Sequence, residues 1–130
     1  MTKAEPIVCM TKSHEMAPQM TPKILFEDPH LIVLSKPAGL LSQGEHQGDP
    51  NLVDWLREYL GRPYVGLVHR LDRNTSGLMV VAKRTKSAQR LTTALQDGKI
   101  VRAYLAWVVG KLPGPVRWTH FLNKNSDKNK

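Results

Sequence analysis

Short apolar runs separated by turn residues predict a series of β-strands along the chain. The runs are Ile24–Phe26, Leu31–Leu34, Val65–Val68, Leu78–Val81, Ile100–Val109 and Val116–Leu122. Their length and their content of β-branched and aromatic residues are typical of strands. The turn signal Asp28-Pro29-His30 separates the first two runs, so we expect these two strands to form a hairpin.

Two other stretches have the periodicity of amphipathic helices. The apolar face of the first is made by Leu52, Trp55, Leu56, Tyr59 and Leu60. Asp49 or Asn51 can cap its start and Gly61 can close its end. We interpret Trp55 and Tyr59 as core residues.

The second helix is predicted to begin with a Thr85 cap and to end at Gly98. Its apolar face is made by Ala88, Leu91, Thr92 and Leu95. Three cations lie near its start, at Arg84, Lys86 and Arg90. A cationic helix surface is usually only solvated. Contact with phosphate is a second interpretation here, because the helix closely follows a polar loop.

The run Ile100–Val109 is apolar on both faces, which is typical of a central strand. Arg102 and Tyr104 are the polar exceptions, and both lie on the same face. A buried tyrosine needs a hydrogen-bond partner, so Tyr104 is either a satisfied core residue or part of a site.

Together these elements indicate one α+β domain in a chain of 130 residues. Residues 1–22 have three prolines and no apolar periodicity, so we expect a mobile extension followed by a domain over residues 23–130. The net charge of +8 is compatible with an anionic partner, although half of it lies in the last 20 residues. The single cysteine, the absence of an apolar run of membrane length and the absence of a signal peptide predict a cytoplasmic protein without membrane contact.

A polar loop between Val65–Val68 and Leu78–Val81 carries the candidate chemistry. Its one acid, Asp72, lies between Arg70 and Arg73. Neighbouring cations favour the ionised carboxylate, which can act as a nucleophile or a base. A structural ion pair is the alternative interpretation. The sequence has no glycine-rich phosphate loop, zinc-type cysteine spacing or Gly-x-Ser-x-Gly motif.

The loop His69-Arg70-Leu71-Asp72-Arg73-Asn74-Thr75-Ser76-Gly77 resembles the signature His-Arg-Leu-Asp-x-x-Thr-Ser-Gly of the RluA-type RNA pseudouridine synthases, with all seven fixed positions matched. Lys36-Pro37-Ala38-Gly39 resembles the family's Lys-Pro-x-Gly turn. Arg102-Ala103-Tyr104 resembles its Lys-x-Tyr strand, with Arg replacing Lys. The resemblance extends from about Ile24 to the C-terminus. It implies a mixed, mainly antiparallel sheet with flanking helices, as the N-terminal portion of the catalytic domain.

The resemblance also implies roles for the matching residues. Asp72 would engage a flipped uridine as its glycosidic bond breaks, and Tyr104 would stack on the base and help to remove the carbon-5 proton. Arg70 would fill the gap left in the RNA, which offsets part of the energy of base flipping. RNA contacts are predicted at His69, Arg70, Arg73, Arg102 and Lys36. The implied partner is ribosomal or transfer RNA, without a metal ion or an organic cofactor.

The sequence departs from the family pattern after Leu122. It lacks a Gly-Arg-x-His-Gln-Ile-Arg-like segment, the strands that follow, and the basic residue that pairs with the catalytic aspartate. Arg70, Arg73 and Arg102 are the candidates to replace that residue. We therefore expect a C-terminally incomplete domain in which Ile100–Val109 has absent or short neighbours and apolar surface is exposed.

Three hypotheses follow for the function. The first is an enzyme that isomerises specific uridines in RNA. The second is a truncated module that binds RNA through the same loop with weak or no turnover. The third is a small α+β domain in which the Arg-Asp-Arg cluster is only an ion pair, and the seven matched positions disfavour it.

Overall fold

A computed structural model describes residues 20–121 as four strands and two helices. In chain order these are β1 (Lys23–Glu27), β2 (Leu31–Lys36), α1 (Leu52–Leu60), β3 (Gly66–Leu67), β4 (Gly77–Ala82) and α2 (Thr85–Gln96). The first four predicted strands and both predicted helices are confirmed, and the α+β class with them. Residues 1–19, which include most of the predicted mobile extension, lie outside the described part.

The four strands form one sheet in the order β1-β2-β4-β3, and every neighbouring pair is antiparallel. The predicted hairpin of β1 and β2 is therefore present. The carboxylate of Asp28 shapes its turn by accepting the backbone N–H groups of His30 and Leu31, each at 2.7 Å. In this part of the chain parallel pairing is limited to an isolated bridge between Leu41 and Asn51, outside the named strands.

The core lies on one face of the sheet, where the inward residues of β2 and β4 meet α1. Alternation along β2 buries Ile32, Leu34 and Lys36 completely. Ile32 and Leu34 belong to the hydrophobic core cluster together with Leu40, Leu52, Leu56, Leu71, Met79 and Val81. Met20 packs against this cluster and Pro22 is buried, so core contacts begin before the predicted domain boundary at residue 23.

Helix α1 has the predicted caps. The Asn51 side chain accepts the N–H of Asp54 at 3.0 Å, and Gly61 takes the left-handed conformation with φ of 62°. The prediction of Tyr59 as a core residue is wrong, because its side chain is half exposed. Its ring stacks on the half-buried Trp55 at 5.3 Å, and its hydroxyl donates to Glu27 at 2.9 Å.

Helix α2 packs on β3 and β4 through a half-buried face. The predicted cap is wrong by one residue: Arg84 occupies the N-cap position without a side-chain cap hydrogen bond, and Thr85 is the first helical residue. Gly66 allows the close approach of helix and sheet. A Cβ there would lie 2.8 Å from the Cβ of Ala82 and 3.1 Å from that of Ala88.

The predicted strand at Ile100–Val109 is not formed. Residues 101–121 contain no strand and are exposed throughout, including Leu105 and Trp107. A strand that is apolar on both faces needs hydrogen-bonded neighbours on both sides, and within residues 20–121 none pairs with this segment. The prediction of a strand at Val116–Leu122 is likewise wrong for residues 116–121, and Leu122 lies outside the described part. The expected exposure of apolar surface is present, although in this segment rather than along a central strand.

No helix in residues 20–121 is both long and apolar enough to cross a membrane.

Candidate catalytic loop

Two segments meet at one end of the sheet because β2 and β4 are antiparallel. Lys36, the last residue of β2, lies opposite Gly77, the first residue of β4. The segment after β2 and the loop at residues 68–76 before β4 are therefore neighbours. This second segment contains the predicted catalytic loop, and we call it the Asp72 loop.

The buried ammonium group of Lys36 forms hydrogen bonds with both segments. The side chain has no exposed surface, and Nζ donates to the carbonyl oxygens of Pro37 at 3.0 Å, Leu40 at 2.7 Å and Arg73 at 3.3 Å. Three carbonyls satisfy all three donors of an ammonium group. Burial lowers the pKa of Lys36, and the negative charge of Asp72 opposes that shift. Lys36 therefore holds the loop, and its burial speaks against the predicted contact with RNA.

A second link joins Gly39 to Arg73 in both directions. The N–H of Gly39 donates to the carbonyl of Arg73 at 2.7 Å, and Nε of Arg73 donates to the carbonyl of Gly39 at 3.2 Å. Gly39 has φ of 93°, a conformation that residues with a Cβ rarely adopt. The glycine of the Lys-Pro-x-Gly turn thus presents its backbone to the Asp72 loop.

Ser42 forms a third link, which the sequence analysis missed. Its buried hydroxyl donates to the carbonyl of Leu71 and accepts the Leu71 N–H at 3.1 Å. The polar composition of residues 42–51 predicts only a loop for this segment. A small polar residue directly after the apolar pair Leu40-Leu41 was the available signal, but it does not indicate which backbone group the hydroxyl meets.

The three links leave the Asp72 side chain at the surface. Leu71 is buried in the core, and the next residue, Asp72, is exposed. The carboxylate forms no ion pair and accepts no hydrogen bond within residues 20–121, so neither Arg70 nor Arg73 neutralises it by contact. The interpretation of the Arg-Asp-Arg cluster as an ion pair is therefore wrong. Against the larger effect of burial, which lowers the pKa of Lys36, the negative charge of Asp72 raises that pKa.

His69, near the start of the Asp72 loop, forms a hydrogen bond with β4. The backbone N–H of Val80 donates to Nε2 of His69 at 3.0 Å, so Nε2 carries the lone pair and the neutral ring is protonated at Nδ1. Burial, and then the positive charge of Arg102, lower the pKa of His69. Nδ1 is buried without a partner in the described part of the chain. The hydrogen bond from Val80 to the neutral imidazole therefore continues the pairing of β4 past the end of the short strand β3.

The other predicted site residues are at the surface. Arg70, Arg73 and Arg102 are exposed, and Arg102 is close enough to His69 to affect its pKa. Tyr104 is 62% exposed in the segment after α2, which has no regular secondary structure, and it forms no hydrogen bond with the Asp72 loop within residues 20–121. The structure thus brings Lys36 together with residues 69–73. Tyr104 has no described link to these residues.

Metal binding has no candidate in this region: no three His, Cys, Asp or Glu side chains within residues 20–121 are grouped to hold an ion.

Comparisons with known proteins agree with the loop motif. The sequence profile of the family described as RNA pseudouridylate synthase matches residues 30–130. Ribosomal large subunit pseudouridine synthase D of Nitrosomonas europaea is 44% identical over 98 residues, which cover 69% of this chain and 28% of that protein. Its namesake in Yersinia pestis is 37% identical over 119 residues, which cover 86% of this chain and 36% of that protein.

A solved structure titled Human RNA Pseudouridylate Synthase Domain Containing 4 covers 59% of this chain and 30% of its own, with a TM-score of 0.49 and 28% sequence identity. The chain spans about a third of the length of the curated relatives that it matches.

Replacing Ser42 tests the third link. We expect Ser42→Ala to lower the free energy of unfolding by about 2 kcal/mol, because it leaves the N–H and the carbonyl of Leu71 buried without partners. Ser76→Ala, in the same loop but at an exposed position without a side-chain hydrogen bond, is the control and should change it by less than about 0.5 kcal/mol. Urea unfolding measures both. Equal stability of the two variants would contradict the proposed link.

Replacing Lys36 tests the buried ammonium group. Lys36→Met keeps most of the side-chain volume but removes three hydrogen bonds to carbonyl oxygens, so we expect a loss of about 2 kcal/mol in the free energy of unfolding. Lys23→Met makes the same change at an exposed position on the neighbouring strand β1 and should be nearly neutral. A Lys36→Met variant as stable as the wild-type chain would show that the ammonium group does not hold the loop.

Proposed function

This chain belongs to the RNA pseudouridylate synthase family, and from that premise we propose that it isomerises uridine to pseudouridine in RNA with Asp72 as the catalytic residue. The chain spans about a third of the length of its curated relatives, and we propose for it the activity that those relatives have as whole proteins.

One observation carries the proposal: Asp72 is an exposed carboxylate without an ion pair in residues 20–121, on a loop whose backbone is fixed by buried groups. A carboxylate whose role was structural would be expected to pair with the arginines beside it. A reactive group instead benefits from a rigid mount and an open side, because the substrate then meets a preorganised nucleophile or base.

The proposed reaction transfers the sugar from N1 to C5 of the same uracil. Asp72 engages the uridine as the bond between N1 and C1′ breaks, the uracil turns in place, and a bond forms between C5 and C1′. The proton at C5 is lost and N1 gains a proton, so that the product is an isomer of the substrate. Tyr104 is proposed to stack on the base and to help remove the C5 proton.

Base flipping gives the neighbouring arginine a role. Extruding a nucleotide from its stack requires a few kcal/mol, which an inserted side chain partly offsets. Arg70 is exposed beside Asp72, and its planar guanidinium can stack on bases and bind phosphate. We propose that Arg70 occupies the vacated position, and that Arg73 and Arg102 add contacts to the backbone. His69 positions the loop.

The proposed substrate class is ribosomal RNA, with transfer RNA as the alternative. The names of the two bacterial relatives refer to the large ribosomal subunit, which makes its RNA the first substrate to test. We also propose a cytoplasmic location, which a single cysteine supports because the chain cannot form an internal disulfide.

A second candidate function is RNA binding without turnover. It is favoured by the position of Tyr104, which lies exposed in a segment without regular secondary structure and forms no hydrogen bond with the Asp72 loop within residues 20–121. In that case the exposed arginines would still bind RNA, but the base would lack its stacking partner.

Tritium release from RNA labelled at C5 of uridine tests the enzymatic proposal. We expect release by the wild-type protein and at least a 1,000-fold slower release by Asp72→Asn, roughly the scale seen when a group essential for catalysis is removed. The Asp97→Asn variant removes an exposed acid at the end of α2 and should keep the wild-type rate.

RNA binding measured on the same samples separates the two candidates. Loss of release with retained affinity in Asp72→Asn assigns the carboxylate to the chemistry. Release that does not depend on Asp72 would contradict the proposed catalyst. Binding by the wild-type protein without any release would support the second candidate.

A further inference from the structure

A second basic surface lies at the end of the sheet opposite the Asp72 loop. A cavity of about 600 Å³ opens between the β1–β2 turn and the start of α2. Its lining includes His30 and Leu31 from the turn and Arg84, Lys86 and Arg90 from the helix. We call it the basic pocket. None of these residues takes part in the links that hold the Asp72 loop.

The cations of the basic pocket have no acidic partners. Arg84, Lys86 and Arg90 form no ion pair within residues 20–121. Among residues 20–121 the one acid in the lining is Asp28, and its carboxylate already accepts two backbone N–H groups. Those two hydrogen bonds lower the pKa of Asp28, so it stays ionised in the turn. The pocket therefore presents more positive than negative charge to solvent.

A neighbouring lysine shows the contrast. Lys83 lies just before the pocket residues in sequence, and its Nζ is 2.6 Å from a carboxylate oxygen of Glu27. That ion pair joins the residue after β4 to the last residue of β1. Arg84, Lys86 and Arg90 lie within the next seven residues but have no such partners within residues 20–121, so they do not contribute to the fold in the same way.

The arrangement of these cations disfavours the isolated helix. Lys86 and Arg90 are four residues apart in α2, and like charges at that spacing repel each other. The first turn of α2 contains Lys86 and no acid, whereas the helix dipole favours acids there. Both effects are unfavourable in the free protein, and an anionic ligand in the pocket would reverse them.

We propose that the basic pocket binds phosphates of the RNA that flank the target nucleotide. This inference rests on the proposed function and extends it to a second contact site. From the pocket to the Asp72 loop, β2 and β4 each extend over five residue steps, or about 17 Å. An RNA that presents a nucleotide to Asp72 can reach the pocket with its backbone on either side of that nucleotide.

The apolar part of the lining supports this choice of ligand. Leu31 and Leu91 are half buried in the pocket, between the charged side chains. A concave site with an apolar floor and cations around its rim fits a sugar-phosphate backbone. The phosphates contact the cations, and the sugar packs on the apolar floor. This contact carries no sequence information, so the basic pocket adds affinity and sets the path of the RNA.

Neutralising two pocket cations tests the proposal with a matched control. Lys86→Gln combined with Arg90→Gln removes two charges from the pocket, and Lys111→Gln combined with Arg117→Gln removes two exposed charges elsewhere, none of the four being in an ion pair within residues 20–121. The binding of transcribed large-subunit ribosomal RNA is measured at several salt concentrations. We expect the pocket variant to reduce the slope of log affinity against log salt by about one to two, and the control to change it less.

The outcomes separate this proposal from the proposed function. A pocket variant that binds like the control, while tritium release still depends on Asp72, overturns the pocket and leaves the function intact. Wild-type protein that neither binds the RNA nor releases tritium overturns both. Lys86→Arg with Arg90→Lys preserves both charges and should bind like wild type; loss of binding in that variant would contradict a contact based on charge. Circular dichroism melting of each variant verifies that α2 is folded.

Discussion

The buried ammonium group of Lys36 is the constraint on which the geometry of the site depends. An ammonium group is costly to bury, and it remains inside a protein only when its donors are satisfied. Here the acceptors are three carbonyls, two from the segment after β2 and one from the Asp72 loop. The two segments must therefore lie next to each other. The carboxylate of Asp72 is nearby and opposes the loss of charge that burial favours.

The sheet makes this arrangement possible. Antiparallel pairing of β2 with β4 places the end of one strand beside the start of the other. The links through Gly39 and Ser42 then fix the backbone on both sides of Asp72, at Arg73 and at Leu71. A loop held in this way can present a charged side chain to solvent without using that side chain for its own stability. This separation between the groups that hold the loop and the group that reacts is what the proposed chemistry requires.

The sequence predicted the elements that have a clear hydrophobic pattern bounded by turn or cap residues. Short apolar runs identified β2 and β4, and helical spacing with a cap at Asp49 or Asn51 identified α1, whose cap is Asn51. The segment at Ile100–Val109 was predicted incorrectly because its pattern describes a strand only when neighbours are present to pair with it. Tyr59 was misplaced for a related reason: helical spacing defines a face, but it does not define how much of that face the sheet covers.

The loop motif predicted where the reactive residue lies but not what holds it. The nine residues from His69 to Gly77 identify Asp72, yet no pattern in them indicates an ammonium group from residue 36 or a hydroxyl from residue 42. Lys36 was predicted to contact RNA from the resemblance of residues 36–39 to the Lys-Pro-x-Gly turn, and lysines usually lie at the surface. Its burial follows from alternation along β2, which places it on the same face as Ile32 and Leu34. That signal was present in the sequence, and it conflicted with the usual preference of the residue type.

Hydrogen exchange of single backbone amides, measured by NMR, tests the central claim most directly. If buried groups hold the Asp72 loop, the N–H of Leu71, bound to Ser42, and that of Gly39, bound to Arg73, exchange far more slowly than the exposed N–H of Asn74. Exchange of Leu71 and Gly39 as fast as that of Asn74 would show that the loop opens freely, and it would contradict a preorganised site for Asp72.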